Sequence, residues 1–158
     1  MSTTRDYEVE EVTPDPPRTW WDRFEHRVRK VAPTALRIAI GLVFVWFGAL
    51  KVVGESPVAD LVHATLPWVS RGLLLPVLGG VEVALGVALL IGRPWRATLV
   101  AVGLHLVGTF LVFLQAPALT WTDGNPLLLT ANGEFVLKNL VLVGAVLMLL
   151  AHGRTTAR

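Results

Sequence analysis

Four apolar stretches, at about residues 34–53, 73–91, 97–115 and 135–151, constrain this chain more than any other feature. Each is close to the roughly 20 residues that a helix needs to cross the hydrocarbon core of a bilayer. Lipid offers the backbone no hydrogen-bond partners, so such stretches must satisfy their own amides as helices. The 158 residues are 53% hydrophobic and 16% charged, against roughly 25% charged in a soluble domain. The expected fold is therefore an all-α integral membrane protein, a four-transmembrane-helix bundle spanning residues 34–151. An interfacial amphipathic helix is expected before it and a short outer helix within it.

The flanking segments differ in character. Residues 1–18 hold five acids and three prolines, the composition of a disordered tail. Within 19–33, Trp21, Phe24, Val28 and Val31 form one helical stripe and Arg23, Arg27 and Lys30 another. Thr19 is placed to cap this helix and Pro33 to stop it. A basic amphipathic helix of this kind suits an anionic membrane surface. Residues 92–96, with Arg93 and Arg96, make a tight connection, and 152–158 form a short tail.

Charge counting sets the orientation. With both termini and 92–96 on one side, that side collects eleven Lys and Arg residues, and the other receives only Lys51, Arg71 and Lys138. The positive-inside rule then places both termini in the cytoplasm. Of the two outer connections, 54–72 should hold a short helix through about Leu66, capped by Ser56 with Pro57 in the first turn. Val58, Leu61, Val62 and Leu66 would face the membrane. In 116–134, Asp123-Gly124 and Asn132-Gly133 are turn signals, consistent with a small hairpin over the outer mouth.

Polar groups at membrane depth are the candidate site. Arg37, Gly41, Phe44, Gly48, Lys51 and Glu55 recur at intervals of three and four and share one face of the first span. Ile40 and Trp46 fall on the other faces, expected to meet lipid. Glu82 is central in the second span, with Gly79 and Gly86 on its own face. A carboxylate there must be protonated, paired or hydrated. His105 is near the middle of the third span and is either a packing residue or a proton-handling and hydrogen-bonding group. Lys51 with Glu55, and Glu134 with Lys138 and Asn139, are either i,i+4 helix-end pairs or one shared polar cluster. The candidate network is thus Glu82, His105, Lys51, Glu55, Lys138 and Asn139, with Gly41, Gly48, Gly79 and Gly86 as packing positions.

Several chemistries lack their residues. With no cysteine there is no disulfide exchange and no thiolate metal site. No metal-spaced His/Glu set, nucleotide-binding glycine loop or nucleophile–base arrangement is present. The basic residues hug the inner membrane surface, so nucleic acid is not implied. Membrane lipids are expected partners, together with a partner protein or a second copy of the chain.

The run from Arg37 through Gly41 and Gly48 to Lys51, then Gly-Gly-Val-Glu with Gly86 four residues on, then Lys138 at the head of the last span, resembles the DoxX-like family of small four-helix membrane proteins. Asn139 departs from an acidic position in one relative group. The resemblance implies a bacterial or archaeal membrane subunit tied to quinone-linked redox chemistry, with no covalently bound cofactor. Gly48, Lys51, Glu82, Gly86 and Lys138 are the positions it carries over. The expected function is to bind quinone, or to support a partner oxidoreductase, in the bacterial cytoplasmic membrane. A non-catalytic assembly subunit and a path for protons or a small solute are the alternatives.

Overall fold

The computed structural model describes residues 19–92 and 95–152. The expected tail at 1–18, residues 153–158 of the expected tail at 152–158, and the centre of the 92–96 connection lie outside these residues. In chain order the elements are α1 (Trp20–Val52), α2 (Ala59–Thr65), α3 (Arg71–Ile91), α4 (Trp95–Thr109), α5 (Val112–Gln115), α6 (Pro117–Thr120), β1 (Trp121–Thr122), β2 (Asn125–Leu129), α7 (Ala131–Leu137) and α8 (Asn139–His152). Four helical stretches are long and apolar enough to span a membrane: α1, α3, the run Arg96–Gln115, and the run Ala131–His152. The chain is an all-α membrane bundle.

Pro33 does not stop the first helix, contrary to the sequence expectation of separate helices at 19–33 and 34–53. It lies inside α1, which runs unbroken for 33 residues. Proline removes one backbone donor, but its φ is already helical, and neighbouring bonds hold the helix where water does not compete for them. Thr19 caps the start as expected: its hydroxyl accepts from the Asp22 amide, and Asp22 Oδ2 accepts in return from the Thr19 amide at 2.7 Å. At 1.5 Å per residue α1 is about 50 Å long, well beyond the roughly 30 Å hydrocarbon core. The surplus is its first three turns, where every residue from Trp20 to Val31 is exposed.

At its other end α1 is closed by Gly54 in the left-handed region (φ 83°). The Glu55 amide bonds the Leu50 carbonyl and the Gly54 amide bonds the Lys51 carbonyl, the reciprocal pattern of a Schellman cap.

The last two spans are interrupted. The third breaks between Thr109 and Val112, where the amides of Phe110 and Leu111 reach back only three residues. The fourth breaks at Lys138.

The connection after α1 departs from expectation in two respects. Helix α2 starts at Ala59 without a side-chain cap, and Ser56 Oγ has no hydrogen-bond partner. Leu61 does not face the membrane but packs, with Val58, against Val112, Ala116 and Val136, because spans three and four break there and leave a depression to fill. The hairpin β1–β2 is antiparallel, turning on Asp123 (φ 51°) and Gly124 (φ 73°), as the Asp-Gly pair demands. Asn132-Gly133 is not a turn. Thr130 caps α7 by accepting from the Gly133 amide, and Gly133 lies against the Thr120 carbonyl, where a side chain would not fit.

Below this cap, Ile40, Phe44, Leu89, Leu99, Val102, Leu106, Val146 and Leu149 form a core drawn from all four spans. Ile40, assigned to lipid from its position on the helical wheel, is 1% exposed and belongs to this core. Trp46 is exposed at 68%, as expected of a lipid-facing residue.

Candidate functional site

The tightest seam in the bundle is between α1 and α3, which run antiparallel. Gly41 and Gly48 of α1 meet Gly86 and Gly79 of α3, each pair seven residues apart along its helix. A Cβ on Gly48 would lie 2.6 Å from the Gly79 carbonyl oxygen and 2.9 Å from Glu82 Cβ. A Cβ on Gly79 would lie 2.6 Å from the Gly48 carbonyl and 2.8 Å from Lys51 Cβ. Lipid is as apolar as leucine, so helices in a membrane associate through close packing and polar contacts rather than through hydrophobic burial. These four glycines supply the close packing.

They also set the site. Lys51 and Glu82 each follow one of the paired glycines by three residues, one turn along the same face. The close approach therefore delivers the two side chains to each other. Lys51 Nζ donates to Glu82 Oε2 at 2.6 Å, and both side chains are buried, at 6% and 9% exposure. The second carboxylate oxygen, Oε1, lies 2.9 Å from His105 Nε2. An ionised carboxylate has only lone pairs to offer, so against it Nε2 is the donor; in the neutral imidazole Nδ1 is then an acceptor. Nδ1 has no hydrogen-bond partner among the described residues, and the His105 side chain retains 13% exposure. The ring of Phe44 packs edge-on against the imidazole at 5.5 Å between centroids.

Both carboxylate oxygens of Glu82 are thus engaged, one by the Lys51 amine and one by the His105 imidazole. Pairing and full hydrogen bonding are what make ions tolerable at membrane depth. One turn along α4 from His105, Thr109 Oγ1 donates to the Leu106 carbonyl at 2.6 Å and accepts from Asn139 Nδ2 at 3.0 Å. This ties the interruption of the third span to that of the fourth.

The candidates therefore divide. Lys51, Glu82 and His105 converge, and Asn139 joins the neighbouring Thr109. Glu55, Glu134 and Lys138 are exposed and stand apart, so the shared cluster of all the helix-end charges does not form. The cause at Glu55 is Gly54, which ends α1 before one more turn could carry Glu55 back to the face of Lys51. Lys138 falls at the interruption between α7 and α8, off the faces that turn inward. Arg37, midway along α1, lies half-buried against Gly92 at the C-terminus of α3, where a cation meets the negative end of the helix dipole.

Phe44 and Thr109 are additions to the candidate site. Both were visible as neighbours at helical spacing: Phe44 on the stripe of Gly41 and Gly48, and Thr109 four residues beyond His105. No group of three or more His, Cys, Asp or Glu among the described residues is arranged to hold a metal ion.

Fold and site together define a four-span helical bundle organised on a buried Lys–Glu–His centre. No family model matches the chain, and no curated protein or solved structure is significantly similar to it.

Proposed function

We propose that this chain is a membrane subunit of quinone-linked redox chemistry in the bacterial cytoplasmic membrane, with both termini in the cytoplasm, and that His105 contacts the quinone head. The observation that carries this reading is the division of labour on one imidazole. Nε2 is held by Glu82 at 2.9 Å, while Nδ1 has no partner among the described residues, on a side chain that is not fully buried. The resemblance to DoxX-like proteins points the same way.

A quinone head, when bound, supplies a two-electron, two-proton couple. The protein's part is to orient it and to hold a proton. In the neutral imidazole Nδ1 would accept a hydrogen bond, and then a proton, from a hydroxyl of the reduced ring, while Glu82 holds the imidazole through Nε2. Lys51 fixes that carboxylate, as a positioning group. The apolar outer faces of the spans give an isoprenoid tail its approach from lipid. Electrons come from a partner oxidoreductase, because the chain carries no redox-cofactor motif.

The test is titration of the purified protein with a short-chain quinol analogue, the reduced form whose ring hydroxyl can donate to Nδ1. Saturable binding is expected, weakened about tenfold or more by His105→Phe, the cost of a lost hydrogen bond to a polar ligand group, and partly restored in His105→Gln. Absence of saturable binding to the wild-type chain contradicts the proposal.

One observation favours a second reading, a non-catalytic assembly subunit. Trp21, Phe24, Val28 and Val31 are all exposed on the projecting turns of α1, an apolar stripe that a partner helix would cover. Truncation before Arg29 would abolish partner capture under this reading and leave quinone binding intact under the first.

A further inference from the structure

Away from the polar centre, α1 and the end of α8 enclose a groove of about 440 Å³, within the roughly 300–1,000 Å³ of ligand pockets. Its walls are Ala32, Ala35 and Ala39 on α1 and Met148 and Leu149 on α8, with His152 at the rim. The alanines of one helix facing the longer side chains of the other leave the space. Everything but the His152 ring is carbon, so the buried part of any occupant is hydrocarbon. Both walls belong to membrane-spanning helices, so the groove opens on lipid.

The rim is cationic. Arg29 lies three, four and seven residues before Ala32, Pro33 and Leu36, on the same helical stripe as the groove. Its Nε and Nη2 bond Glu25 at 3.0 and 2.6 Å, which leaves Nη1 for an anionic ligand. The projecting turns of α1 carry four basic residues, Arg23, Arg27, Arg29 and Lys30, against the acidic Asp22 and Glu25. Arg23, Arg27 and Lys30 lie on the stripe turned away from the groove, so Arg29 is the basic residue that continues its wall.

An apolar slot that ends on an arginine and an imidazole fits a molecule with a long hydrocarbon chain and a phosphate. We propose that this groove binds one anionic phospholipid, with an acyl chain between α1 and α8 and its phosphate against Arg29 and His152. Such a lipid would fasten the projecting part of α1 to the membrane surface and cement the contact of the first and last spans.

Native mass spectrometry of the delipidated full chain tests this, with phosphatidylglycerol or phosphatidylcholine of the same acyl composition added. The wild type is expected to retain one phosphatidylglycerol about fivefold more readily than phosphatidylcholine, the effect of one basic side chain at a lipid surface. Ala35→Phe fills the groove and should lose both lipids, and Ala39→Leu serves the same purpose should the phenylalanine variant misfold. Arg29→Gln should keep the lipid and lose the preference. Equal retention by the wild type and the filled variants overturns the proposal, as does a wild type without preference. Displacement of phosphatidylglycerol by an equal concentration of a neutral isoprenoid quinone also overturns it, assigning the groove to a different occupant.

Discussion

Gly48 and Glu82 touch across the first two spans so closely that a single methyl group on the glycine would sit 2.9 Å from the glutamate Cβ. The polar centre is thus a consequence of backbone approach. Remove the approach and the ions lose each other.

Substituting Gly48 tests that dependence. Gly48→Ala must push the helices apart, and is expected to cost about 1–3 kcal/mol, as overpacking does. Gly80 on the same helix as Glu82 has nothing within 4 Å of an added Cβ. There alanine is expected to stabilise the helix by about 0.5–1 kcal/mol through reduced chain entropy. Thermal unfolding of both variants in detergent, read together, separates seam packing from general helix propensity.

Glu82→Gln should be severe. It leaves the Lys51 ammonium buried beside a neutral amide, and breaking one partner of a buried ion pair typically costs about 3–5 kcal/mol. Replacing both ions, as in Lys51→Met with Glu82→Leu, should recover most of that loss, because no uncompensated charge remains. A double variant as unstable as the single would show that the ion pair contributes more than charge compensation.

The bond between Asn139 and Thr109 should matter much less. Interhelical hydrogen bonds in membranes average about 0.6 kcal/mol and reach about 1.7, so Asn139→Ala is expected to lower stability by no more than that range. A much larger loss would mean that the paired interruptions of spans three and four depend on this one contact.

Continuity of α1 through Pro33 can be measured directly, since the native chain has no cysteine to confuse labelling. Spin labels at Phe24→Cys and Leu42→Cys, both exposed positions, flank the proline by nine residues on each side. A continuous helix places their Cα atoms about 27 Å apart. A right-angled bend at Pro33, with the first turns flat on the membrane, would shorten that to about 19 Å.

The bundle was legible in the sequence because hydrocarbon thickness dictates span length, and nothing in these four stretches competes with that demand. The stripe of Gly41, Phe44, Gly48 and Lys51 was equally legible, since helical spacing maps it to one face. What misled was punctuation. Pro33 reads as a stop in water, yet in a long apolar helix the missing donor costs too little to end it. Gly54 was the overlooked signal: its left-handed cap removes Glu55 from the face that spacing assigned to it. Asn132-Gly133 reads as a turn until Thr130, one residue before Ala131, is recognised as a helix cap. Which charge on one span meets which on another is a tertiary fact. Glu82 had several cations to choose from by depth alone, and the glycine seam selected Lys51.

The central claim is that spans one, two and three meet at a single Lys51–Glu82–His105 centre, and dipolar recoupling by solid-state NMR in bilayers tests it most directly. With Lys51 Nζ labelled by nitrogen-15 and Glu82 Cδ by carbon-13, the hydrogen bond at 2.6 Å requires a nitrogen–carbon separation of about 3–4 Å, set by hydrogen-bond geometry. Strong dephasing corresponding to that distance is the expected result. No measurable coupling would contradict the account, because two ions that far apart at this depth could not share a centre.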